Sequence, residues 1–527
     1  METLQRLHNR GSISTGGYAI SNSLLLDNSD TGMDFNHQQM SPGGDDQWTA
    51  QSNAGTDSEK ATVSLWFKRS KLSPSSGDGQ YARLFHFITG GNATSLYFVD
   101  DQLTMYDDVT SASLKTTRKF RDLSAWYHVV VAMDSSQSTA ANRVKIYVNG
   151  VQETSWATED YGNQNTDLAM FSTTNVTFIL GSAGGHAQGY SFDGYMTEVH
   201  FVDGAQKAAS DFGEYDEDTG IWIPKQYTGS YGTLGCYYNF EDTSSNRFND
   251  ESGNGNFMDN RGGSFEGAIT TDTPTNNFCI VNNDTRQGNQ YGTYNVNQQA
   301  THGGTVIVEP TGSFGQISAT FGVGSGKWYW EMKPVGMVGF STAGQIYGIT
   351  SPVNLGGSES RSEIRPGATT AVDTSAQYAI YPMYTDQSRS YRGDSDSSTH
   401  WTSSDEGAAN DVIWRIALDL DNGKIWYGRN NVWLPDKDTD TASNPSTGSN
   451  ARDTDLLGAT RLVGGFYLPS FGMYNENSGH TMQTNFGGYS KISNSKSYSD
   501  GNGYGAFVYE VPTGFYSICS KNLAEYG

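Results

Sequence analysis

At 527 residues the chain exceeds what one hydrophobic core supports, so more than one domain is expected. Its formal net charge of −24 argues against nucleic acid and anionic membrane as partners, since phosphate binding needs clustered Lys and Arg. Glycine is abundant (62 residues), aromatics reach 13% and long amphipathic helical patterns are missing, which points to an all-β protein.

The cysteines Cys236, Cys279 and Cys519 form neither a disulfide framework nor a CxxC metal spacing. No apolar run approaches membrane-spanning length. The start of the chain lacks the apolar core of a secretory signal, so synthesis in a cytoplasm and no membrane insertion are expected.

Residues 1–17 carry Arg6, His8 and Arg10 on a polar Gly/Ser-rich segment. This reads either as a frayed terminus or as a basic anchor on an acidic body. A first domain is expected over 18–240. Short strands are expected at Ser23–Asp27, Ala61–Lys68, Arg83–Phe87, Ser95–Val99 and Gln102–Tyr106, the last two joined by an Asp100-Asp101 turn.

The clearest stretch runs from Ala125 to Val151. Residues 126–133 supply side chains for two faces of a sheet, and Val144, Ile146 and Val148 alternate with Lys145 and Tyr147. Asn149-Gly150 follows, and both central residues of a type I′ turn need positive φ. A strand buried on both faces beside an alternating strand suggests two packed sheets. Thr177–Leu180, Tyr195–Val202 and Gly235–Phe240 complete the domain, the last returning near the first strand.

Turn-rich residues 241–276 read as a connector. A second domain is expected over 277–515, followed by a tail, 516–527. Its strands are read at Gly326–Lys333, Ile413–Leu420, Lys424–Gly428, Arg461–Leu468 and Met482–Phe486, with turns at Asp421-Asn422-Gly423 and Asn430-Asn431. Residues 351–411 and 435–460 read as long polar loops. The fold class is therefore all-β, two antiparallel jelly-roll sandwiches in tandem.

Several segments are familiar. Trp126-Tyr127-His128-Val129, Ile146-Tyr147-Val148-Asn149-Gly150 and Phe192–Val199 resemble the concanavalin A-like, laminin-G-type sandwich of marine bacteriophage virion proteins. Phe212-Gly213-Glu214 and Trp222-Ile223-Pro224-Lys225 are similar to a connecting segment of those proteins. Gly326–Glu331 and Leu418–Trp426 resemble the hallmark strands of a SPRY sandwich, and Pro512–Leu523 is similar to a segment that follows SPRY in the same proteins.

The resemblance implies a virion protein of the tail fibre, spike or appendage type. It would be exposed on the particle, joined to other virion proteins through its N-terminal segment, and would attach the particle to host surface polysaccharide. A homo-oligomer, with a trimer favoured, follows from that role. Fold alone does not establish it. Two alternatives stand beside it: a capsid decoration or tail-scaffold protein, and a polysaccharide depolymerase.

The sandwich is shared with glucanases, and glycoside hydrolysis needs two carboxylates flanking the bond. No Glu-x-Asp-x-x-Glu or Glu-x-Asp-x-Glu run occurs. Glu198 and Asp203 come closest, but a spacing of five puts them on opposite faces. Asp419 and Asp421 read as hairpin chemistry, and no enzyme is expected.

No cofactor is required. Ca²⁺ is the one that the acidic pairs Asp100 with Asp101 and Asp107 with Asp108 would suit, solvated turn acids being the alternative. Glycan binding wants exposed aromatics with polar neighbours. Tyr190, Tyr384, Tyr391, Trp401 and Trp433 sit in or beside loop-like stretches; of these Tyr391 and Trp401, beside Arg392, Asp394 and Asp396, are the preferred candidates, whereas Trp66, Trp126, Trp328 and Trp330 read as buried. His86 and the other scattered histidines are given no role.

Overall fold

The computed structural model describes residues 17–27, 38–40, 55–73, 80–89, 91–171, 177–182, 190–241, 247–260, 269–287, 299–308, 314–336, 345–351, 377–384, 387–392, 396–402, 412–435, 441–458, 464–474 and 481–527. The described residues divide into two compact units, one ending at Asn277 and the other running from Phe278 to Gly527. Both are built of antiparallel β-sheets.

The first unit is a sandwich. One sheet runs, in spatial order, β10 (Val151–Gln152), β9 (Val144–Val148), β8 (Trp126–Asp134), β3 (Lys60–Arg69), β13 (Gly194–Asp203), β1 (Ser23–Leu26) and β19 (Ile269–Thr270). A further strand, β16 (Cys236–Tyr238), also pairs with β13. The other sheet runs β11 (Trp156–Asp160), β7 (Ala112–Lys119), β6 (Gln102–Asp107), β5 (Asn92–Val99), β4 (Ala82–Thr89), β12 (Thr177–Leu180), β2 (Gln38–Met40), β18 (Met258–Asn260) and β17 (Arg247–Phe248). A short hairpin, β14 (Gly213–Tyr215) and β15 (Trp222–Pro224), stands apart from both.

Alternation builds this sandwich. Val63, Leu65 and Phe67 of β3 and Val129, Val131 and Met133 of β8 point into one core with Phe85, Leu96, Phe98, Leu103 and Met105 of the facing sheet. The expected turns hold. Asn149 and Gly150 both have positive φ (47° and 80°), as do Asp100 and Asp101 (52° and 61°), which is type I′ geometry. In β13 the pairing with β3 shifts register between Thr197 and His200, and Glu198 takes φ 50°, a β-bulge. The half of β13 before the bulge pairs β1 and the half after it pairs β16.

Residues 241–276, read from composition as a connector, contribute β17, β18 and β19 to the sheets of the first unit. Their strands are two or three residues long, too short to leave an alternating signature.

The second unit is also a sandwich. One sheet runs β20 (Val281–Gln287), β23 (Phe314–Ala319), β32 (Leu468–Tyr474), β25 (Gln345–Thr350), β26 (Gln377–Tyr384), β27 (Gln387–Arg392) and β28 (Asp396–Thr402). The other runs β21 (Gln299–Thr301), β22 (Val306–Val308), β33 (Thr481–Asn485), β24 (Lys327–Val335), β29 (Trp414–Asp419), β30 (Lys424–Arg429) and β31 (Val432–Trp433). Trp328, Trp330, Met332, Ile416 and Leu418 fill its core.

The outer face of β24 and β29 is covered by Phe507, Val511 and Phe515. Glu331 ties that cover down, accepting hydrogen bonds from Val508 N (2.9 Å), Tyr509 N (2.9 Å), Asn485 Nδ2 (3.0 Å) and the Tyr329 hydroxyl (2.8 Å).

Three expectations change here. The segment 351–411 holds β26, β27 and β28 rather than loop throughout; their Ser, Thr and Gln content hides the strand period. The strand placed at 461–468 begins at Leu468, because Gly464 and Gly465 (φ 89° and 84°) turn the chain just before it. The tail 516–527 belongs to the second unit: β34 (Tyr516–Ser517) lies parallel to β24, and α1 (Ser520–Tyr526) follows with Leu523 in the core.

Gly150 gives the first unit a sharp test. A Cβ there would lie 2.4 Å from the Trp222 ring, and φ is 80°. Gly150→Ala is expected to destabilise the unit by about 1–3 kcal/mol, read as a lowered urea midpoint with an unchanged slope.

Candidate functional site

A sandwich offers two outer faces, and in the first unit they differ. On the β13 sheet, Thr62, Ser64, Lys68, His128, Thr197, Glu198 and His200 are all buried. The stretch after β13 roofs them. Trp222 donates its indole N–H to His128 Nδ1 at 3.0 Å. Gln206 reaches the carbonyls of Ala132 and Asn142 (3.3 and 2.8 Å), and Phe212, Tyr227, Tyr231 and Tyr237 pack around the His200 ring. At the other end Asp272 seals the face: it pairs with Lys68 Nζ (2.7 Å) and accepts the Trp126 indole (3.0 Å).

An indole nitrogen only donates, so His128 Nδ1 is the acceptor and Nε2 holds the proton. Nε2 then donates to Ser64 Oγ at 2.8 Å. Burial, with a smaller contribution from His200, lowers the His128 pKa to about 3.

The acids expected to matter are already engaged. Glu198 accepts the Tyr237 hydroxyl at 2.9 and 3.0 Å, and Tyr18 bonds that hydroxyl in turn at 2.7 Å. Asp203 accepts backbone N–H groups of Thr56, Thr233 and Leu234. Asp419 accepts both nitrogens of Asn422, as hairpin chemistry requires, whereas Asp421 accepts Gly326 N from the start of the neighbouring strand.

Of the calcium candidates, Asp101 is held by Arg69 (3.1 Å) and Arg121 (3.0 Å), and Asp107 accepts from Thr94, Thr110 and Ala169. Asp108 accepts Ala93 N, and Asp100 is exposed. The two pairs stand at opposite ends of β6, so the structure does not bring them together. Among the described residues no group of three or more His, Cys, Asp or Glu converges as a metal site would need.

The outer face of the β5 sheet is different. In register across β4, β5, β6 and β7 run Arg83, Tyr97, Thr104 and Lys115. Beside that row run His86, Ser95, Tyr106 and Ser113. Leu96, Phe98, Leu103, Met105 and Leu114 point the other way into the core, so both rows face outward.

Tyr81, Tyr97 and Tyr106 are half-buried and Tyr190 is exposed. Tyr190 stacks on Tyr81 (5.6 Å, 18°), Tyr81 meets Tyr97 edge-on at 6.0 Å, and Tyr97 meets Tyr106 at 5.8 Å. The Arg83 guanidinium lies 4.7 Å from the Tyr190 ring centre and 5.4 Å from that of Tyr97.

Underneath, Ser95 donates to the Phe85 carbonyl and accepts Arg83 Nε at 3.2 Å, so His86 Nδ1 is a donor to Ser95 Oγ at 2.9 Å. Burial first, then repulsion by Arg83, lowers the His86 pKa to about 3. The result is a fixed platform of four tyrosines around one cation. It has the apolar ring faces and polar groups that sugar binding uses.

Of the loop aromatics read from the sequence, Tyr190 stands in this platform, whereas the preferred glycan candidates lie elsewhere. Tyr391 and Arg392 are on β27, and Asp396 and Trp401 on β28. Arg392 stands opposite Asp396 in register, Tyr391 opposite Ser397 and Trp401 opposite Ser388. Asp394 lies outside the described residues, as do Arg6, His8 and Arg10.

Residues 42–210 match a laminin G family model described as the concanavalin A-like lectin/glucanases superfamily. That match spans less than half of the chain and falls in the first unit. Among solved structures, the chain is similar to domains LG4-5 of the mouse laminin alpha1 chain, with 10% identity over 90% of this chain and 92% of that one and a TM-score of 0.27. It is similar to the SPRY domain of human HERC1, with 14% identity, 39% and 96% coverage and a TM-score of 0.24. A heptameric SAP-like pentraxin from Limulus polyphemus shows 16% identity, 36% and 78% coverage and a TM-score of 0.26. No curated protein sequence matches. A lectin-type domain of this kind is consistent with carbohydrate or protein binding.

Two outcomes follow. His86 and His128 are neutral in the fold with pKa values of about 3, against about 6.5 unfolded. The unfolded chain therefore takes up protons first as pH falls. The stability is full above about pH 6.5 and is lost towards pH 3, by up to about 1.4 kcal/mol per pH unit for each ring. Denaturation followed against pH should show this, and His86→Gln should make the slope shallower. Because Asp101 and Asp107 are occupied by protein donors, chelation with EDTA is expected to leave the melting temperature unchanged.

Proposed function

We propose that the chain is a non-enzymatic virion surface protein that attaches a bacteriophage to its host by binding surface carbohydrate. The observation that carries this reading is the tyrosine platform around Arg83 on the outer face of the β5 sheet. Aromatic faces held on rigid strands stack on sugar rings with little loss of side-chain freedom.

Several features of the rest of the molecule support it. The opposite face is roofed, and the nearest acid pair, Glu198 and Asp203, is spent on separate internal hydrogen bonds, which speaks against a depolymerase built on this sheet. The likeness of both halves to phage virion segments supplies the setting. In that setting residues 1–17 join the chain to other virion proteins, and the protein is made in the host cytoplasm before assembly. Several copies per particle, most simply a trimer, raise avidity without a strong single site.

A glycan array probed with the full chain tests the reading. Binding to bacterial surface polysaccharides is expected, and Tyr97→Ala should weaken it by about tenfold, the loss of one aromatic contact of roughly 1.4 kcal/mol. A chain that binds no glycan but captures purified virion proteins would instead be scaffold.

A further inference from the structure

Resting on the reading that the β5 face binds carbohydrate, we infer that its ligand is an anionic polysaccharide, with oxyanion groups on the sugars meeting Arg83 and Lys115 on either side of Tyr97. The whole chain is strongly acidic, at −24. This face is not. Arg83 and Lys115 occupy the two ends of one register row, with Tyr97 and Thr104 between them. Three strand spacings separate them, roughly 14 Å. Lys119 pairs with Gln102, two residues before Thr104 on β6, which places it on the same side, and it is exposed.

Arg83 gives its Nε to Ser95, yet none of these cations has an acidic partner among the described residues. Arg83 is only 9% exposed, yet its Nη1 has no hydrogen-bond partner among the described residues. A buried guanidinium N–H left unpaired is costly, and a charged acceptor is the partner that suits it best. Among the described residues neither Lys115 nor Lys119 makes an ion pair, whereas neighbouring Arg118 and Arg121 are paired with Glu153 and Asp101. His86 adds no charge, being neutral. Among the described residues the acids on this side are Asp160, opposite Ser113 at the far end of the Tyr106 row, and the exposed Asp108, one alternation beyond Tyr106, both away from the Lys119 end of the strip.

A neutral glycan would use the tyrosines and leave these cations idle. An acidic one uses both, with a carboxylate or a sulfate supplying the same oxyanion chemistry. The acidic remainder of the protein would then repel the polymer everywhere except at this strip, which sets its position and direction.

The test is a binding titration of the full chain at low salt against four polymers. These are a polyuronate, the same polymer with its carboxyls reduced to alcohols, a sulfated glucan and a single-stranded oligothymidylate. The polyuronate or the sulfated glucan should bind at least about tenfold tighter than the reduced polymer, with the difference shrinking as salt rises. The tighter of the two identifies the oxyanion. Lys115→Met and Lys119→Met are surface changes that leave the fold intact, and should reduce that preference; Arg83→Met should abolish it. Tyr97→Ala should weaken acidic and neutral polymers alike.

Equal binding of the acidic and reduced polymers would overturn the inference while leaving carbohydrate binding in place. Failure to bind any polysaccharide would overturn both. An acidic preference that survives all three cation substitutions would remove it from this face. Oligothymidylate bound as tightly as the acidic glycan would make the strip a general polyanion surface and also overturn the inference.

Discussion

The hydrogen bond from the Trp222 indole to His128 sets what the first sandwich has to offer. It joins residues 94 positions apart and fastens the segment after β13 across the outer face of that strand's sheet. Because the indole can only donate, it fixes the histidine tautomer and, with burial, keeps the ring neutral. Protonating His128 would set one donor against another. The polar side chains beneath the roof are satisfied by one another and by the roof, so this face is structural. The other outer face, that of the β5 sheet, carries its four tyrosines in half-buried or exposed positions.

On that second face, rigidity replaces depth. Tyr97 and Tyr106 sit on a hairpin whose turn is fixed by two residues in the left-handed region, Asp100 and Asp101. The Asp101 carboxylate, held by Arg69 and Arg121, anchors that turn against the sandwich. Below the rings, Ser95 accepts hydrogen bonds from Arg83 Nε and His86 Nδ1. A ligand meeting such a surface finds its contacts already ordered, which keeps the entropic cost of binding low. Each single contact is modest, and repetition over copies supplies the rest.

Much of the fold was legible because its strands alternate. The β3, β8, β9 and β13 strands, the Asn149-Gly150 turn and the Trp328–Glu331 strand follow from period-two patterns and turn chemistry. The register of the β5–β6 hairpin was also within reach: with Asp100-Asp101 as the turn, Tyr97 must face Thr104 and Tyr106 must face Ser95. Placing Arg83 beside Tyr97 was harder. A bulge between Arg83 and Phe85 breaks the alternation of β4, so its outward positions cannot be counted from the sequence. The roof was not legible, since nothing local ties Trp222 to His128. The strands over 377–402 were missed because polar residues on both parities look like loop.

The central claim is that ligand occupies the outer face of the β5 sheet. A crystal structure of the full chain with a bound oligosaccharide tests it most directly. The account predicts sugar rings over Tyr97 and its neighbouring tyrosines, with an oxyanion group beside Arg83 or Lys115 and the roof of the β13 sheet unmoved. Sugar seated beneath the Trp222 roof, or only on the β27–β28 hairpin of the second unit, would contradict it.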